Sequence, residues 1–270
     1  MKISRSSAFS AALSILILSI IGFYFNGTSN VTYTCKQHGI TVDTTFSDYN
    51  SGKYDLIRSS CRTMINKHWK SFGMKKKYWD GGWGFHNACS TSTPLNRTFR
   101  ALELLRVSKN PSKSSNAHLN FAYSRSKKWI DELRVTCAKD KDNNAVASHK
   151  GGAWEWAGGD NGSGVVYLYQ NVFGYSIIYL ASTILHEARH RHKGHNAGKN
   201  AGSCTWGGSC DTTYSYDGAN AYELGYSWWY GVASKKSTIF SRQMALDYAR
   251  NVQNQAFKHR PNFKIQTTAR

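Results

Sequence analysis

Two apolar rhythms meet in the second half of the chain. Residues 164–169 read Gly-Val-Val-Tyr-Leu-Tyr, a β-branched and aromatic run bounded upstream by a Gly-rich stretch at 158–164 and downstream by Gly174. This predicts a strand. From Ser176 the period changes: Ile177, Ala181, Ile184, Leu185 and Ala188 recur at helical spacing, an apolar face about three turns long. Tyr179, Thr183, His186 and His190 form a second stripe at the same spacing, so one face points to a core and the other is open to chemistry. Gly194 is the expected stop signal.

Residues 31–150 read as mostly helical. The stretches 54–72 and 97–107 carry apolar residues at helical spacing with basic ones between them, and 127–137 is similar. Residues 108–116, rich in Ser, Lys and Asn around Pro111, read as a loop, and 218–229 as a further helix. The expected fold class is α+β, mostly helical, with a small sheet beside the helix that starts at Ser176. Residues 31–270 are expected to form one domain, with a helical basic part at 31–150 and the chemistry at 151–270.

The N-terminus has a different pattern. Lys2 and Arg5 precede an apolar run over residues 8–25, eighteen residues long and interrupted only by Ser10, Ser14, Ser19 and Gly22. That length reaches the lower end of a membrane span, and no small-x-small cleavage pattern follows it. Residues 1–30 therefore read as a signal or anchor segment, an uncleaved anchor being placed ahead of a cleaved signal. Either way the body of the protein is exported. Six cysteines suit that compartment. They allow fifteen sets of three disulfides, of which a local Cys204–Cys210 bridge in a Gly-rich loop is the one expected here.

Composition adds a strong charge. The 270 residues hold 35 Lys+Arg against 16 Asp+Glu, a net charge of +19. Anionic surroundings follow from that balance: nucleic acid, anionic lipid or an acidic envelope polymer. Tyr and Trp interleaved with lysines over 75–83 read as core, with stacking on bases or sugar rings as the alternative.

The chemistry lies in His186-Glu187-Ala188-Arg189-His190. Residues four apart share a helix face, so both imidazoles can reach one metal ion. Glu187 follows the first of them and can act as general base toward water on that metal. This is the HExxH pattern, and a strand followed by a helix that carries it resembles the zincin metallopeptidases, in which an edge strand lines the substrate cleft. The resemblance covers about 165–229. It implies Zn2+, a protein or peptide substrate and a third ligand, since catalytic zinc keeps three protein ligands and one open position.

Three residues compete for that third place. Metzincins continue HExxHxxGxxH, whereas here Gly194 and His195 fall at other offsets. Glu223 resembles the downstream glutamate of gluzincins. The string from Gly208 to Ser215 resembles the aspzincin motif GTxDxxYG, with Ser209 for Thr, Ser215 for Gly and a longer gap after His190. That resemblance implies Asp211 as ligand and Tyr214 as a catalytic hydroxyl. Asp211 is placed first, with His195 and Glu223 as alternatives. Two other functions compete with an exported peptidase: a basic envelope module that grips anionic polymer or nucleic acid with structural or no zinc, and a metal-dependent nuclease.

Overall fold

The structure, a computed structural model, describes residues 59–90, 93–109, 117–137, 147–150, 164–198, 202–206, 209–234 and 237–269. Residues 1–30, expected to be a signal or anchor segment, Cys35 and residues 54–58 of the expected 54–72 helix lie outside them, and that helix starts at Cys61 rather than at 54. Among the described residues no helix is long and apolar enough to cross a membrane. They form an α+β arrangement of eight α-helices and one three-stranded sheet.

Local signals set most boundaries. Helix α1 (Cys61–Ser71) starts where Ser60 accepts from the Thr63 N–H. It ends in a Schellman turn, with Gly73 at φ +54°, its N–H on Lys70 O and that of Met74 on Trp69 O. A Cβ on Gly73 would lie 2.0 Å from Asp131 O, so only glycine lets the turn abut the first strand. After the short α2 (Lys76–Trp79) comes α3 (Pro94–Val107), three residues earlier than its apolar pattern, because Thr93 caps it and Pro94 suits the first turn. Helices α4 (Ala117–Asn120) and α5 (Ala122–Trp129) follow.

The helix expected over 127–137 is a correction. Helix α5 stops at Trp129, and β1 (Glu132–Thr136) takes over. From Leu133 the buried positions alternate through Val135 to Cys137, a period of two. Strand β1 runs parallel to β3 (Val165–Tyr169), and β2 (Ala147–Lys150) runs antiparallel to β3 on its other side, giving the order β1-β3-β2. Leu133, Val135, Val166 and Leu168 turn inward.

Helix α6 (Ile177–Arg189) begins where Ser176 accepts from the Tyr179 N–H, and every residue but Tyr179 is buried. The core stripe is fully covered, and of the second stripe Thr183 and His186 are buried while Tyr179 and His190 are half-buried. A helix enclosed all round needs neighbours on every side, and α6 touches α3, α5, β2, β3, α7 (Ala219–Ala233) and α8 (Ile239–Gln255). Helix α7 runs four residues past its expected end. Helix α6 stops well before Gly194, its last turn tightening as His190 N bonds Glu187 O and Arg191 N bonds Ala188 O. Side chains from Met64 to Ala245 share one apolar core, so both expected parts of the domain contribute to it.

A buried polar cluster fastens α1 to α3. Glu103 receives hydrogen bonds from Ser59 and Arg106, and from His68 Nε2 at 2.9 Å, while His68 Nδ1 accepts from Tyr123 at 3.0 Å. Burial works against the Glu103 charge, but these donors outweigh it and hold the carboxyl well below the usual range. A carboxyl depressed by folding stabilises above its unfolded pKa, and loses that contribution as pH falls through the folded value. Glu103→Ala should cost about 3–5 kcal/mol at pH 7 by stranding the His68 and Arg106 groups. The gap to wild type should narrow below about pH 4. Urea unfolding of both proteins at pH 7 and pH 3 measures this, and an equal gap at the two pH values would contradict it.

Candidate metal centre

Helix α6 delivers His186 and His190 on one face, with His190 as the residue that ends the helix. The chain then turns, His192 N and Lys193 N both bonding Arg189 O. It is held there by the Tyr216 hydroxyl on Gly194 O at 3.1 Å and by Lys193 Nζ on Tyr216 O at 2.6 Å. That turn carries His195 back to the helix end. Ring centroids lie 4.9 Å apart for His186 and His190, 5.2 Å for His186 and His195, and 4.6 Å for His190 and His195. One ligand atom from each of the three lies within 4.8 Å of the others.

The far side of each ring is engaged. His186 Nδ1 meets Glu223 Oε2 at 2.9 Å, His190 Nδ1 meets the Lys193 carbonyl at 3.0 Å, and His195 Nδ1 meets Asp211 Oδ1 at 3.0 Å. All three acceptors are oxygens, so each Nδ1 donates and Nε2 is the atom each ring offers to the others. His186 Nε2 and His190 Nε2 are already 3.2 Å apart.

The three candidates for the third place are thus all at the site, in different positions. His195 is in the triad. Glu223 and Asp211 stand behind it. Asp211 was placed first from the sequence, but its second oxygen accepts from the Asn220 N–H at 3.1 Å, in the first turn of α7, and its side chain is fully buried. Its backbone is clamped as well, N–H to Ala256 O and carbonyl to Lys258 N–H. Cys204 and Cys210 are bonded to each other as expected, and Cys210 O accepts from Ala197 N two residues beyond His195. Cys61 pairs with Cys89.

Tyr214 is not brought to the triad. Its ring packs among His118, Phe257 and Phe263, where burial pushes the hydroxyl up to about 12. The tyrosine that reaches the turn carrying His195 is Tyr216. The residues that sequence reasoning missed are the Lys193 carbonyl, Asn220 and Tyr248, whose hydroxyl donates to Glu223 Oε1. No periodicity or motif marks any of them: Asn220 and Tyr248 act between separate elements, and the Lys193 carbonyl is main chain placed by the path of the turn.

Glu187 is buried beside His186. Burial pushes its carboxyl up to about 7, the His186 charge opposing and the Glu223 charge assisting. Burial also works against a charged His186, but Glu223 outweighs it and carries that imidazole up to about 9. At His195 burial prevails over Asp211 and the pKa falls. No protein-family model, curated protein or solved structure matches the chain.

Gly218 makes room for this arrangement. A Cβ there would lie 2.5 Å from Asp211 Oδ2, and a buried, doubly bonded carboxylate has nowhere to retreat. Gly218→Ala should therefore destabilise the fold by about 1–3 kcal/mol. Its own φ of −82° suits alanine, so the cost reports the close approach alone. An unchanged urea midpoint would show that the carboxylate has slack.

Proposed function

We propose that this chain is an exported, zincin-like zinc metallopeptidase, with His186, His190 and His195 as the metal ligands and Glu187 as the general base. One observation carries the reading: three imidazoles converge while each far nitrogen is fixed by a built-in acceptor. Imidazole Nε2 atoms suit zinc once the ion has displaced any proton they carry, and ligating histidines characteristically donate their other N–H to a carboxylate or carbonyl. A structural site would be closed by four protein ligands. Among the described residues no further His, Cys, Asp or Glu joins the group of three, which supports a site with a position for substrate.

Zinc held there supplies a Lewis acid that polarises a scissile carbonyl and makes water acidic near neutral pH. Glu187 takes the proton of the attacking water and returns it to the departing amine. Burial keeps competing solvent from that carboxyl. The position of α6 beside a small sheet supports the zincin-like architecture, and two disulfides among the described residues suit an oxidising compartment. The net charge of +19 favours an acidic protein, or a peptide embedded in anionic envelope polymer, as substrate.

Metal analysis should find one zinc per chain, lost in His190→Ala and in His195→Ala. Asp211→Ala should keep the stoichiometry with about 10–100-fold weaker binding. Glu187→Gln should retain zinc and melting temperature, while hydrolysis of a mixed peptide library falls by about two orders of magnitude or more. Zinc lost in Asp211→Ala but kept in His195→Ala would reinstate Asp211 as the ligand. A zinc-loaded wild type that cleaves nothing in a broad library would replace the peptidase with the basic envelope-binding module.

A further inference from the structure

The three ring acceptors are secured in three different ways. For His190 the acceptor is main chain, fixed by the turn itself. For His195 it is Asp211, whose other oxygen is tied to the N-terminal turn of α7. Glu223 is a longer side chain in the body of α7, and its other oxygen is bound by a single group from a different helix. We propose that Tyr248 is a positioning residue for the triad: it holds the Glu223 carboxylate so that His186 presents Nε2, and so sets how tightly the three rings take a divalent cation. This rests on the metal reading above.

Tyr248 lies on α8, and its hydroxyl donates to Glu223 Oε1 while Glu223 Oε2 accepts from His186 Nδ1 at 2.9 Å. Glu223 is 3% exposed, so water does not substitute for a missing partner. These two are the carboxylate's hydrogen bonds among the described residues. The Tyr248 ring is wedged edge-on against Tyr179 at 4.7 Å, and Tyr179 stacks on Tyr175 at 4.4 Å. The hydroxyl therefore comes from a ring braced on one face by an aromatic neighbour. Remove it and Oε1 becomes a buried acceptor with no donor. The carboxylate can then turn about its broad terminal torsion, and Oε2 no longer pins the His186 ring plane. Outer-shell partners of this kind typically change metal affinity 10–100-fold.

The test uses the full-length chain, zinc and cobalt(II) as probes, and three variants. Tyr248→Phe should bind zinc about tenfold more weakly or worse in competition with a chelating indicator. The visible ligand-field bands of its cobalt form should shift as well. Tyr226→Phe removes another buried hydroxyl, one on α7 that meets Ser108 Oγ at 3.2 Å, and should leave affinity and spectrum at wild type. Glu223→Gln keeps the side-chain shape but withdraws the charge shared by Tyr248 and His186, and should weaken zinc by at least as much. It serves as the test if Tyr248→Phe does not fold. Wild-type affinity in Tyr248→Phe or Glu223→Gln overturns the relay while leaving the metal site standing, as does an equal loss in Tyr226→Phe. Wild-type protein that takes up neither ion overturns the metal reading and the relay with it.

Discussion

An imidazole can turn either nitrogen toward a neighbour, and the hydrogen bond on its far side decides which. In this protein that decision is made three times within ten residues, and two of the three acceptors are buried carboxylates. An unpaired buried carboxylate costs several kcal/mol, so each must be met on both oxygens. Glu223 and Asp211 are: one by His186 and Tyr248, the other by His195 and the Asn220 N–H. Helix α7 lies behind both arrangements, presenting Glu223 itself and the N–H that holds Asp211. The positive end of its dipole also favours the negative charge of Asp211.

The rest of the fold keeps these contacts dry and fixed. Arg189, the last residue of α6, bonds the Asp217 carbonyl at 3.0 Å and lies over the rings of Trp129 and Tyr222. It thereby joins the end of the histidine helix to the turn that leads into α7. Asp217 adopts the left-handed conformation at φ 58°, which Asp tolerates better than most residues. The Cys204–Cys210 bridge and the Ala197–Cys210 contact brace the far side of the same loop.

Features carried by local periodicity were legible in the sequence. Strand β3, helix α6 and the pairing of two nearby cysteines need only neighbouring residues to be recognised. The stretch 127–137 was misread because Trp129, Ile130, Leu133 and Cys137 fit a helix while Leu133, Val135 and Cys137 fit a strand. The choice is made by pairing with Val165 and its neighbours, far along the chain. The candidate site was legible in membership more than in role. His186, His190, His195, Asp211 and Glu223 all arrive there, but which rings converge and which carboxylates stand behind them is decided by the path of the turn after Arg189, which has no period. Tyr214 followed a motif likeness, and aromatic packing with Phe257 and Phe263 takes it elsewhere.

Chain order gives the site a time course. The three imidazoles lie within one short segment, whereas Asp211 is 16 residues beyond His195, Glu223 is 37 beyond His186, and Tyr248 is 25 further on. A chain made from its N-terminus therefore exposes His186 and His195 before the carboxylates that choose their tautomers exist, whereas the His190 acceptor lies only three residues on. Until α7 and α8 dock, the His186 and His195 rings lack the carboxylate acceptors that fix them. Docking fixes both rings, so on the metal reading proposed above the completed fold and the ability to retain a cation arrive together.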